Sequence, residues 1–131
     1  MKIVFISTAD PVLDKYPPGG GIEYQIFGFS KELAKLGHQV YILKRFNGVE
    51  KEEINDIKIV KVKTQFGDLV LTRLIFSRNA SKRIKEIKPD VINLSERFSA
   101  YFPSKLDIPK VFFTHNSDGF SLYRNFAIKY N

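Results

Sequence analysis

The sequence predicts an α/β fold built on a doubly wound, mainly parallel sheet. Two observations carry that prediction. Apolar residues fall in short unbroken runs rather than alternating with polar ones, and helical patterns ending on glycine or proline lie between the runs. Runs of about four residues rich in β-branched and aromatic side chains read as strands covered on both faces, as parallel strands are. Their alternation with helices implies βαβ units and right-handed crossovers.

The first run, Ile3-Val4-Phe5-Ile6, opens the sheet. In the helical pattern that follows, Ile22, Ile26, Phe29, Leu33 and Leu36 recur at steps of four, three, four and three, which predicts one apolar face. Gly37 is the expected left-handed stop, with Lys31 and Lys35 toward the negative end of the helix dipole. The second run is Val40-Tyr41-Ile42-Leu43. The polar, acidic stretch from Asn47 to Asn55 reads as a loop leading to a weaker strand, Ile57 to Val62, whose Lys58, Lys61 and neighbouring Lys63 suit an outermost edge. A long helix is predicted from about Asp68 to Lys88, with Leu69, Phe76, Ala80, Ile84 and Ile87 on one face and Pro89 as its stop. Then come Val91-Ile92-Asn93-Leu94, a short helical stretch near Ser99 to Phe102, and Val111-Phe112-Phe113. A final helical pattern, Phe120, Tyr123, Ala127 and Tyr130, is still in progress where the sequence ends.

The 131 residues, 44% hydrophobic and 27% charged, suit one packed domain over residues 1–131 rather than a disordered chain. No apolar run approaches the roughly 18 residues of a membrane span, and Met1 to Ile6 is too short for a secretory signal. The absence of cysteine excludes a disulfide scaffold, a thiolate zinc site and a cysteine nucleophile, and agrees with an expected cytoplasmic location. The formal net charge is +7. Its excess gathers on the long helix, where Arg73, Arg78, Lys82, Arg83, Lys85 and Lys88 oppose only Glu86. A solvated face and a peripheral docking face for anionic lipid headgroups, through Arg73, Arg78, Lys82, Arg83 and Lys85, both account for this stripe. No aromatic stacking motif or helix-turn-helix signal accompanies it, so no nucleic-acid partner is expected.

In a doubly wound sheet, ligands bind outside the carboxyl ends of the strands, so the segments following each run are where chemistry is expected. After the first run, a long loop through Tyr16-Pro17-Pro18 ends in Gly19-Gly20-Gly21 at a helix start. Backbone N–H groups there suit a phosphate or carboxylate, while the same glycines equally suit a plain tight turn. The dinucleotide fingerprint fails at its third glycine, where Tyr24 stands, and no acid ends the second strand to hold a ribose hydroxyl. Lys44 and Arg45 stand there instead, which disfavours NAD but leaves NADP open through a 2′-phosphate on Arg45. A Gly-Lys-Ser/Thr phosphate loop is missing, and Asp10 alone cannot make the acidic cluster of a receiver domain.

Ser95, Glu96 and Arg97 follow the fourth run, and Thr114, His115, Asn116, Ser117 and Asp118 follow the fifth. The two mouths converge on one crevice, where His115 has the chemistry to bond a sugar hydroxyl or a phosphate. Ser117 and Asp118 suit the cap of the final helix, and His38, at the opposite rim, is structural. No paired carboxylates, metal-ligand spacing or Ser-His-Asp set is present.

Taken in order, Lys2-Ile-Val-Phe-Ile6, the loop ending Pro-Pro-Gly-Gly-Gly-Ile-Glu23, the helix ending Lys31-Glu-Leu-Ala-Lys-Leu-Gly-His-Gln-Val40, Lys88-Pro-Asp-Val-Ile92 and Ile108-Pro-Lys-Val-Phe-Phe-Thr-His115 resemble the amino-terminal domain of GT4-family glycosyltransferases of the two-domain GT-B fold. The likeness runs from Met1 to about Gly119 and implies a Rossmann-like domain that forms the acceptor-side wall of an interdomain cleft. It further implies that Gly19, Gly20 and Gly21 serve phosphates and acceptor, and that His115 hydrogen-bonds the transferred sugar, orienting it and stabilising an oxocarbenium-like transition state. Glu96 and Asn116 join these as substrate-binding candidates. The implied partners are a carboxy-terminal donor-binding domain and an acceptor sugar or lipid-linked acceptor; a nucleotide-sugar is the co-substrate, and neither metal nor resident cofactor is implied. Asn93-Leu-Ser-Glu96 departs from the more usual His-containing run. The donor domain and its paired-glutamate motif are missing from the sequence, so the chain alone is expected to be inactive. The competing expectation is a free-standing Rossmann-like module for a phosphorylated small molecule or NADP.

Overall fold

The apolar runs form strands and the periodic segments form helices, in the order β1 (Lys2–Ser7), α1 (Gly21–Lys35), β2 (Gln39–Phe46), β3 (Lys51–Ile54), β4 (Ile57–Lys63), α2 (Val70–Ile87), β5 (Val91–Leu94), α3 (Arg97–Ala100) and β6 (Lys110–Phe112). A 3-10 turn, Pro103–Lys105, lies between α3 and β6. The structure is a computed structural model that describes residues 1–7, 21–46, 51–54, 56–64, 70–95 and 97–112. The described strands make one sheet in the order β3-β4-β2-β1-β5-β6, parallel throughout except for β3, which runs antiparallel to β4. The expected doubly wound α/β architecture is therefore present.

Side chains alternate between two apolar layers. On one face Ile3, Phe5, Val40, Ile42, Ile57 and Ile59 pack with Ile26 of α1, and on the other Val4, Ile6, Leu43, Val60, Val62, Ile92 and Leu94 pack with Phe76, Ala80 and Ile84 of α2. Each large aliphatic or aromatic side chain so buried contributes about 1.5–3 kcal/mol. Both layers close on the same sheet, which explains why these strands read as continuous apolar runs.

Helix ends follow their sequence signals. Gly37 has φ 86°, and the His38 and Gly37 amides donate to the carbonyls of Leu33 at 3.1 Å and Ala34 at 2.9 Å, closing α1 as a Schellman-type stop. At the end of α2 it is Lys88, with φ 52°, that turns left-handed before Pro89, its amide donating to Ile84 O at 2.9 Å. Lys2 Nζ donates to Ile87 O at 2.9 Å, a cation at the negative end of α2. The backbone amide of Lys2 donates to Asp90 Oδ2 at 2.6 Å, pinning the α2–β5 connection to β1.

Two expectations are corrected. The strand from Ile57 is not the edge: β3 covers it, inside the segment expected to be a loop. Ile54 pairs with Ile57, and Asp56 between them has the left-handed φ of 64° that a tight hairpin turn requires. The apolar face of α1 is also rotated. Ile26, Phe27, Ser30, Leu33 and Ala34 face the sheet, whereas Phe29 and Leu36 are exposed. The expected final helix lies outside the described residues.

Candidate functional site

The parallel strands end on one rim, and the direction of the connections changes there. From β1 the chain moves to β2 on one side, while from β4 it crosses to β5 on the other side of β1. The connection after β1 leads to α1 on one face, and the short α3 after β5 packs through Ala100 into the α2 layer on the opposite face. Diverging connections at adjacent strand ends make the ends of β1 and β5 the topological switch point, the place at which ligands enter such sheets.

Three features of this rim are built by the sheet. Ser95 Oγ, buried just past β5, donates to Ile6 O at 3.1 Å and ties the two diverging strands together. Two residues inside, Asn93 shares the α1 face with Val91 and is buried with its Oδ1 unpaired. A buried unpaired amide oxygen costs about 1–3 kcal/mol, so its retention needs a reason other than packing. Ser30 Oγ, on the sheet-facing side of α1, is a second buried oxygen without a partner. Beside the switch point, Ser7, Lys44 and Lys61 occupy one row of register across β1, β2 and β4. Lys44 and Lys61 are both engaged within the fold, and Lys61 is buried. The positive end of the α1 dipole points to the same rim.

Of the residues expected to act, Gly21 is the first residue of α1, at this rim. Gly19, Gly20, Glu96, His115 and Asn116 lie outside the described residues, and so do Thr114, Ser117 and Asp118. The strand preceding His115 in sequence, β6, runs parallel to β5 and ends at Phe112, its terminus on the same rim. His38 sits at the opposite rim, as expected, with Nδ1 3.2 Å from the Met1 amino group. Among the described residues, no group of three or more His, Cys, Asp or Glu side chains could hold a metal ion, and no helix is long and apolar enough to cross a membrane.

Sequence reasoning missed the burial of Lys61, which it had assigned to a protected edge. The available signal was Asn55-Asp56 between Ile54 and Ile57, a short turn that puts a further strand outside β4. It also did not foresee that Ser95 would be spent on the Ile6 carbonyl, a bond that only the β1–β5 pairing creates.

No curated protein matches the sequence. In fold, the chain is similar to sucrose-phosphate synthase from Thermosynechococcus elongatus, with a TM-score of 0.72 at 16% identity over 94% of this chain and 35% of that one. It is likewise similar to a glycosyltransferase from Rickettsia africae ESF-5, with a TM-score of 0.60 at 19% identity over 98% of this chain and 34% of that one. The chain therefore spans about a third of the length of these two proteins. Residues 19–130 match the family model for Glycosyltransferase Family 4. The match begins in the glycine loop, takes in α1 and the described strands after it, and passes through His115, and on that span the chain belongs to Glycosyltransferase Family 4.

Proposed function

We propose that this chain is the amino-terminal, acceptor-side half of a glycosyltransferase that moves a sugar from a nucleotide-sugar to an acceptor hydroxyl. The observation that carries the reading is the family match over residues 19–130, on a sheet whose β1–β5 switch point lies at the end where α1 begins with Gly21. A second domain supplies the other wall of the cleft and most contacts to the nucleotide-sugar; the isolated chain binds weakly and does not turn over.

Within that cleft, backbone N–H groups of Gly19, Gly20 and Gly21 meet phosphate oxygens, helped by the α1 dipole. His115 hydrogen-bonds the sugar being transferred. Its work is orientation and stabilisation of positive charge at the anomeric carbon, rather than attack on it. Glu96 and Asn116 contact the acceptor.

The test is made in the protein that joins this chain to a donor-binding domain. There, His115→Ala lowers kcat for sugar transfer about 100-fold, the scale of a positioned proton-bonding group, while the circular dichroism spectrum is unchanged. Undiminished turnover removes His115 from the site. Tight NADP binding by the 131-residue chain, together with no sugar transfer by the longer protein, overturns the whole reading in favour of a nucleotide-binding module.

A further inference from the structure

We infer that Asn93 is a specificity-determining residue whose carboxamide oxygen accepts a hydrogen bond from a pyranose hydroxyl of the acceptor. The inference rests on the glycosyltransferase reading above and gives a part to a residue that the reading leaves without one. Asn93 is the penultimate residue of β5, next to the switch point, and is 5% exposed with Oδ1 unpaired. An oxygen buried without a donor destabilises the fold, and a group retained in that state serves something other than packing.

Its neighbours show from which side a partner arrives. In the sheet register Asn93 lies between Phe5 of β1 and Val111 of β6, and the three side chains share the α1 face. Phe5 is buried, which closes the flank toward β1. Val111 is 46% exposed, which leaves the flank toward β6 open. α1 packs chiefly on β1, β2 and β4, away from that flank. Ser30 Oγ, the other buried oxygen without a partner, has no such access. It is wholly enclosed, and its place in α1 puts it about 13 Å along the helix from Gly21 at the rim.

A carboxamide oxygen only accepts, and this decides the kind of ligand group it meets. Carboxylates and the phosphates of a nucleotide-sugar carry no hydrogen at neutral pH and repel it, whereas a sugar hydroxyl donates. Asn93 therefore reads a neutral, hydroxylated part of the acceptor, and the phosphates are left to the start of α1. With Phe5 beside it, the bond forms away from water. A ligand without the matching hydroxyl leaves the oxygen unpaired again and is rejected.

Stability, NMR and kinetics together test this. Asn93→Leu replaces the carboxamide by an apolar group of similar size, and its urea midpoint is expected to match or exceed that of the parent chain, since an unpaired oxygen is removed. In NMR spectra of the 131-residue chain, the side-chain amide signals of Asn93 are expected to shift on titration with the methyl α-pyranosides of glucose, mannose or galactose. With the sugar that shifts them as acceptor, Asn93→Leu in the protein that carries the donor-binding domain is expected to raise the acceptor KM about tenfold, with kcat and the nucleotide-sugar KM unchanged. A lower urea midpoint, amide signals that none of the three sugars moves, or an unchanged acceptor KM would overturn the inference, and the last leaves the glycosyltransferase reading intact. Sugar-dependent shifts at Asn93 with no transfer by the longer protein overturn that reading instead and keep Asn93 as a sugar-binding residue.

Discussion

Ser95 Oγ donates to the backbone carbonyl of Ile6 at 3.1 Å, across the switch point between β1 and β5. Both residues are buried, so the bond is shielded from water. Ser95→Ala is expected to cost about 0.5–1.5 kcal/mol, read as a lower urea midpoint at constant slope. An unmoved midpoint would show that the bond contributes nothing net.

Gly28 and Gly37 predict opposite outcomes for the same substitution. A Cβ at Gly28, within α1, meets nothing within 4 Å, so Gly28→Ala removes backbone freedom from the unfolded chain and should stabilise by about 0.5–1 kcal/mol. Gly37 has equal room but a φ of 86°, and Gly37→Ala should destabilise by about 1–2 kcal/mol. Thermal melts of the two variants moving in the same direction would contradict the assigned end of α1.

Phe76 and Leu71 lie on opposite sides of α2. Phe76 is fully buried between α2 and the sheet, and Phe76→Ala should cost about 3–5 kcal/mol, whereas Leu71→Ala should stay within about 0.5 kcal/mol. Denaturant titration of both checks the orientation of α2 against the sheet.

The carboxyl of Glu32 is held below its ordinary pKa, first by the hydrogen bond from Lys35 and then by the charges of Lys35 and Lys31. The Nζ to Oε1 distance is 2.7 Å. Because the folded value is depressed, the pair's contribution is present above the unfolded glutamate pKa and is lost as pH falls through the folded one. The pair is solvent-exposed, so the loss in stability should be slight. An NMR titration should place the Glu32 midpoint below that of an unpaired glutamate and return it upward in Lys35→Ala; an unchanged midpoint in that variant would rule out the pairing.

Strands β1, β2 and β5 and the stop at Gly37 were legible because each rests on local chemistry: an unbroken apolar run, or the one residue type without strain at positive φ. β3 was not legible. Its Lys-Glu-Glu-Ile carries one apolar residue in four, and an antiparallel edge strand is held by backbone pairing to β4, which leaves little hydrophobic trace. In α1 two apolar stripes overlap, one through Phe29 and Leu36 and one through Phe27 and Ala34, and only the position of the sheet selected the second. Of the candidate site, the strand-end rim and Gly21 at the start of α1 could be anticipated from the order of elements. Burial of Asn93 and Lys61 could not, since it depends on which strands become neighbours.

By itself the sequence determined the fold class, the ends of its helices and the place along the chain where site residues gather. These follow from patterns within about a dozen residues, where the period of apolar side chains and the conformations open to glycine and proline decide the outcome. Only the tertiary structure decided that β3 caps the sheet, that Ser95 is committed to Ile6, and that Arg78, Lys82 and Lys85 face outward while Glu86 is held aside by Arg83. The physical reason is the same in each case. Strand pairing and helix rotation are settled by contacts between segments far apart in sequence, and a residue's burial or charge environment does not exist until those contacts form.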